Sequence, residues 1–127
     1  MRRRNDTELV LNEVKLLLAA ARLRTSDVEE FHGYQIGRYA AAIEGESLLS
    51  HGALYRALRR LEDRGALESH WEDPDTARDQ GREGRPRRYY RITSHGMAAA
   101  TAEVARARQA KKRPEWLTRW EQGQTPA

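Results

Sequence analysis

Arg56, Arg59 and Arg60 fall on one side of a short segment with helical spacing. Arg82, Arg85, Arg87, Arg88 and Arg91 crowd a later stretch that is broken by Gly81, Gly84 and Pro86. Guanidinium groups in such clusters suit phosphate oxygens, and an arginine projecting from a helix can also pair with a guanine edge in a major groove. Other residue types that could do chemistry lack the necessary arrangement. His32, His51, His70 and His95 are not spaced as metal ligands, and none accompanies a nucleophile and an orienting carboxylate. Asp73, Asp75 and Asp79 lack the spacing and terminal Glu of a calcium loop. Residues 81–84 have no strand–GxxxxGK–helix context, so they are not a phosphate loop. The sequence therefore points away from an enzyme, and no catalytic residue, cofactor or metal is expected. His51 lies where a recognition helix would begin and is a candidate nucleic-acid contact.

The elements that position the arginines can be read from their punctuation. Ser50 suits an N-cap, its hydroxyl accepting from a backbone N–H of the first turn. Leu54, Ala57, Leu58 and Leu61 then form one apolar stripe, and Gly65 suits the left-handed position that ends a helix. Tyr55, Arg56, Arg59 and Arg60 occupy the opposite face. Taken alone, that helix is equally a groove-binding element or a solvated helix paired with Glu62 and Asp63. The segment after Gly65 decides between them. Leu67, Trp71, Tyr89, Tyr90 and Ile92 are strand formers on either side of a polar tip, with residues 73–82 expected to be mobile. A basic hairpin directly after a basic helix is the layout of a winged helix-turn-helix, which binds duplex DNA.

The order His32-Gly33-Tyr34, Gly52-Ala53-Leu54-Tyr55, Ala57-Leu58, Arg60-Leu61-Glu62, Gly65, Leu67, Trp71, Gly84-Arg85-Pro86-Arg87-Arg88-Tyr89-Tyr90, Ile92-Thr93 and Gly96 resembles the PadR family of transcriptional regulators. The family pattern usually has Thr at Ala53 and Pro at Arg56, and a shorter connection and wing. The resemblance implies a homodimeric regulator, more often a repressor, on a palindromic operator. It also implies a small aromatic or planar effector near the dimer interface, with Trp116 and Trp120 as candidates. The alternative is an architectural or protein-interaction winged-helix adaptor without strong sequence specificity.

The remaining segments fit a single domain, mainly α with a two-stranded antiparallel β wing. The expected organisation is a basic arm over residues 1–6, a DNA-binding domain over 7–93, a helical dimerisation segment over 94–121 and a disordered tail over 122–127. Thr7 or Asp6 would cap a first helix running to about Leu23. Its Leu9, Val10, Val14, Leu17, Leu18 and Ala21 share a face, while Leu11 and Leu16 extend the apolar surface to others. Burial by a second subunit or within the chain's own core would account for this. Ser26 with Glu29 fits a capping box for a new turn, and Phe31, Tyr34, Ile36, Tyr39, Ala40 and Ile43 form the apolar side of the next helix. Thr93 caps a long last helix in which Met97, Ala100 or Thr101, Val104 and Ala107 lie close to heptad spacing. Pro114 suits the first position of a short helix carrying Trp116, Leu117 and Trp120.

The candidate DNA-binding set is thus Ser50, His51, Tyr55, Arg56, Arg59, Arg60, Arg85, Arg87 and Arg88. The candidate dimer interface is Leu9, Val10, Val14, Leu17, Met97, Val104, Trp116 and Trp120. Zero cysteines leave no disulfide framework or thiolate metal site, and no apolar run is long enough to cross a bilayer. No signal-peptide pattern accompanies the first arginines, and a cytoplasmic protein is expected. The net charge of +4 favours a polyanionic partner, and its clustering on two elements carries more weight than its size.

Overall fold

The computed structural model of the chain describes residues 9–45, 47–82 and 86–122. Three helices and the strand Arg88–Ile92 dock on α1 (Leu11–Thr25), in which Leu16, Leu17, Leu18, Ala19, Ala20 and Leu23 are buried. The helix is apolar on several faces because α2 (Gly33–Glu44), α3 (His51–Asp63) and α5 (Ser94–Gln109) pack on it from different sides. The chain's own core therefore buries Leu17 completely and Val14 almost so. Neither can supply contact area to a second subunit without unpacking that core, which corrects the expectation for these two residues. The caps expected at Thr7 or Asp6 lie outside the described residues. At the position before Leu11, Val10 makes no side-chain cap.

The capping box expected at Ser26 does not form. Ser26 instead closes α1, Asp27 takes the left-handed conformation at φ 66°, and the Val28 amide returns to the Leu23 carbonyl at 2.8 Å. The chain then runs extended into β1 (Phe31–His32). Phe31 is thus a strand residue packed under the sheet, not part of the next helix. β1 pairs with β3 (Arg88–Ile92), and β3 pairs with β2 (Leu67–Trp71), giving an antiparallel order β1-β3-β2. The expected two-stranded hairpin is therefore three-stranded. Two residues are too few to display the alternation from which a strand is read.

His32 ends β1 and caps α2, its Nδ1 accepting from the Gln35 amide at 3.2 Å. Burial, helped by Arg87 and Arg82, pushes the imidazole below its usual pKa. That keeps the neutral form, the only one with a lone pair for the cap. α3 starts as expected, with the Ser50 hydroxyl accepting from the Ala53 amide at 3.2 Å. It ends at Gly65, φ 77°, where the Ala66 amide donates to the Leu61 carbonyl at 2.9 Å.

Residues 73–82 are not an irregular tip. Pro74–Asp79 form α4, capped by Asp73, whose Oδ1 accepts from the Asp75 amide at 2.8 Å; Ala77 is fully buried. α5 begins at the expected cap, with Thr93 accepting from the Gly96 amide at 2.9 Å. The same hydroxyl donates to the Gly65 carbonyl at 2.6 Å, fastening the helix start to the end of α3. Gly96 lies so close to β2 that an added Cβ would stand 2.2 Å from the Ala66 carbonyl oxygen. α6 (Glu115–Gln122) folds back over α1 and α2 and buries Leu117. Pro114 precedes it by one residue, and its carbonyl accepts from the Leu117 amide at 3.1 Å. Ala100, Val104, Ala107 and Leu117 share one core with α1 to α3. No helix among the described residues is long and apolar enough to cross a membrane.

Two substitutions test this packing by denaturant melts. Leu58→Ala empties a fully buried site and should cost about 2–5 kcal/mol. Gly96→Ala should cost about 1–3 kcal/mol, because a backbone oxygen cannot move aside as a side chain can.

Candidate nucleic-acid interface

α3 presents His51, Tyr55, Arg56 and Arg59 away from the stripe of Leu54, Ala57, Leu58 and Leu61, all four of which are buried. His51 opens the helix, exposed, with its ring centroid 4.6 Å from that of Tyr55. Tyr55 is half-buried because its ring leans on the start of α2; a Cβ on Gly33 would stand 2.7 Å from its hydroxyl. The Gly33 and Tyr55 positions therefore depend on each other, and together they set how α2 and α3 approach. Arg56 and Arg59 are exposed, and among the described residues neither forms an ion pair. They are cations free for an outside anion.

Arg60 is differently placed. Its Nε lies 3.0 Å from Oε2 of Glu13, a carboxylate 1% exposed on α1, and Arg64 stands 4.0 Å from the other oxygen. A buried carboxylate is costly unless it is paired, and the Arg60 contact links α3 to α1. Only its Nε is engaged in this way, and the side chain as a whole stays 45% exposed.

On the wing, Arg87 is exposed and without a carboxylate on its side chain among the described residues. Arg85 lies outside the described residues. Arg88 is occupied. Its Nε donates to the Ser69 hydroxyl at 3.0 Å, its Nη2 reaches Glu62 at 3.3 Å, and its guanidinium lies 5.2 Å from the Trp71 ring centroid. Ser69 in turn donates to Glu62 at 2.6 Å. This chain of contacts ties the recognition helix to the wing, so Arg88 is a strut rather than the free contact expected from its charge.

Between α3 and the wing lies a groove of about 920 Å³ that Tyr34, Tyr55, Arg59, Trp71, Arg87 and Tyr90 help to line. The sequence pattern assigns Tyr34 to a helix core and Trp71 to a strand, and gives neither a place in the site. Both are exposed here, at 54% and 61%. The one signal for Trp71 is position: it ends β2 on the same side as Ser69, and an aromatic at a strand end can face outward as readily as inward.

The far end of the wing is organised by Glu72. This buried carboxylate pairs with Arg82, accepts from the Arg87 amide at 3.3 Å and receives the Tyr89 hydroxyl at 3.4 Å. The Arg82 guanidinium holds the Glu72 carboxyl below its usual pKa. On the outer sheet face, Glu30 beside His70, 2.9 Å away, raises the imidazole pKa. Among the described residues no group of three or more His, Asp or Glu side chains could hold a metal.

Of the residues expected at a dimer interface, Leu9 and Met97 are partly buried and Val10 is 38% exposed, while Val104 is 6% exposed in the core. Trp116 is partly buried. Trp120 lies against α1, its indole N–H donating to the Leu18 carbonyl at 3.4 Å and Arg22 stacked 5.1 Å from its ring centroid. Packing thus accounts for Trp120 within the chain.

A helix-turn-helix with a wing behind it, joined by a third short strand, is a winged helix. A family model described as "Transcriptional regulator PadR-like family" matches residues 23–102. The chain belongs to that family of transcriptional regulators, whose members bind DNA and are not enzymes. Solved structures share the fold, among them the following three. The circadian clock associated protein Pex from anabaena is 20% identical, with a TM-score of 0.52 over 90% of this chain and 80% of that one. A transcriptional regulator from Clostridium thermocellum, Cth-833, is 21% identical, with a TM-score of 0.54 over 75% and 82%. Pex from Synechococcus sp. (strain PCC 7942) is 22% identical, with a TM-score of 0.51 over 81% and 87%. No curated protein matches the chain. None of these findings supports a small aromatic effector.

Glu72→Gln should loosen α4 without unfolding the domain. Hydrogen exchange should quicken across residues 73–82 and stay unchanged in α1. Acid should do the same: the Glu72–Arg82 stabilisation is present above the ordinary carboxylate pKa and disappears as pH falls through the depressed one. Equal exchange rates in variant and wild type would show that the pair does not hold the segment.

Proposed function

We propose that the protein is a sequence-specific double-stranded DNA-binding regulator that acts as a homodimer on a palindromic operator, as a repressor. The observation that carries the reading is the pair of unpaired arginines, Arg56 and Arg59, on the outer face of α3, with Arg87 beside them on the wing. Three exposed cations with no acid partner among the described residues, while Arg60 and Arg88 each contact an internal acid, make a selective basic surface rather than a general one. Arg56 lies nearer the helix N-terminus, which enters the groove in this motif, and reads a base. Arg59 and Arg87 neutralise phosphates. Repression is taken from the family resemblance alone.

The dimer reading rests on surface left uncovered. Val10 and Leu11 at the start of α1 are 38% and 51% exposed. A groove of about 580 Å³ between α1, α5 and α6 has Met97 and Trp120, both only partly buried, in its lining. A second copy laid along this side would cover apolar surface that water now touches.

Selection of bound sequences from a random duplex pool, with light scattering on the same sample, tests both parts. We expect twice the chain mass and a palindromic consensus whose half-sites are about 10 base pairs apart, one helical turn. A monomeric mass removes the symmetric operator, and absence of enrichment favours the adaptor. Arg56→Ala should melt like wild type and lose about 1–3 kcal/mol of discrimination at one base position. Arg87→Ala should weaken binding to cognate and scrambled duplexes alike and flatten the salt dependence by about one unit of slope. If Arg56→Ala binds both duplexes as wild type does, Arg56 is not a base reader.

A further inference from the structure

Trp71 closes β2 with its indole 61% exposed, the highest exposure of any large apolar side chain among the described residues. A lone exposed tryptophan needs no explanation by itself, but three observations here go together. The indole lines the groove between the recognition helix and the wing, with exposed Tyr34 on the same groove. It is held in place by the Arg88 guanidinium over its ring, itself fixed by Ser69 and Glu62. The same groove carries Arg59 and Arg87, two cations without an acid partner among the described residues.

We propose that Trp71 contacts DNA, packing its indole on the deoxyribose of one backbone strand, with Arg88 as the residue that positions it. The inference rests on the DNA-binding reading above and adds a contact the basic residues do not provide. A nucleic-acid backbone alternates anionic phosphates with sugars whose C–H faces are apolar. A groove lined by an aromatic ring and by two cations offers both kinds of contact. Arg88 has a second function in this arrangement. Glu62 and Asp63 also line the groove and would repel phosphate. Arg88, at 3.3 Å and lining the same groove, pairs with Glu62 and so removes part of that repulsion.

The contact should be insensitive to base identity and to salt, unlike those of Arg56 and Arg87, because an indole releases no counterion. Trp71→Ala should melt near wild type and bind cognate and scrambled duplexes roughly tenfold more weakly, with an unchanged slope of log affinity on log salt. Wild-type affinity in this variant, or a loss confined to the cognate duplex, would overturn the assignment. Tryptophan emission provides a second reading that does not depend on the alanine variant folding. Duplex should change the emission of the wild type, and Trp71→Phe should remove most of that change while keeping much of the affinity. An equal change in both proteins would remove Trp71 from the DNA and leave its exposed face to a protein partner. A wild type that binds no duplex would overturn the DNA-binding reading and this one together. A wild type that binds, with variants indistinguishable from it, would overturn this one alone.

Discussion

Charge inside the domain is what fixes the recognition helix. Glu13 sits on the most buried helix of the chain, 1% exposed, and a carboxylate there costs several kcal/mol unless cations reach it. Arg60 and Arg64, one turn apart at the end of α3, both do. Apolar packing of Leu54, Leu58 and Leu61 would let α3 slide or roll on α1 at modest cost, since such contacts have no direction. An ion pair with defined oxygens does not allow this. The apolar stripe therefore drives docking, and Glu13 selects the docked orientation in which Arg56 and Arg59 face outward.

The same division of labour recurs at the other contacts between elements. Glu62 receives Ser69 and Arg88 and joins α3 to the wing. Glu72 receives Arg82 and the Arg87 amide and joins the wing to its helical insertion. Glu44, buried at the end of α2, lies 3.9 Å from Lys15 and 3.8 Å from Arg119, and so meets α1 and α6 together. Each acid takes up arginines or lysines that a count of charge would have assigned to DNA. The net charge of +4 consequently says little about the interface. The cations available to an outside anion are those left over once the internal acids are paired.

This explains what could and could not be read from the sequence. α3 is legible almost to the residue because Ser50, the leucine stripe and Gly65 each act locally, through caps and periodicity. Thr93 and α5 are legible for the same reason. β1 is not, because Phe31 and His32 become a strand only through pairing with Tyr90 and Tyr89, far along the chain. Nor is α4, whose Asp73 cap looks like one more acid in a polar run until Ala77 finds a buried place. The apolar breadth of α1 is visible, but its cause is not. Periodicity reports that several faces must be covered and is silent on whether the same chain or another covers them. Among the candidate site residues, Arg56 and Arg59 project outward, as their place opposite the leucine stripe implies. Arg60 and Arg88 are engaged by acid partners 47 and 26 residues away, a distance over which no local pattern carries information.

The wing illustrates the consequence for function. A pair of wing strands without further contacts would move independently of the recognition helix, and their contribution to binding would be reduced by the entropy of holding them still. Here three links remove that freedom. Ser69 and Arg88 bind the wing's inner side to Glu62 of α3. On the outer side, His32 caps α2 while its ring meets Tyr89 edge-on, 6.3 Å between centroids, and Tyr89 stacks on His70 at 5.9 Å. Thr93 joins the end of β3 to the carbonyl at the end of α3. α2, α3 and the wing are thereby presented as one preorganised surface. The spacing between helix and wing is then a property of the fold itself, present before DNA arrives. On the DNA-binding reading proposed above, a duplex of the wrong groove width would have to deform to match it, which would add selection by DNA shape at positions that no side chain reads.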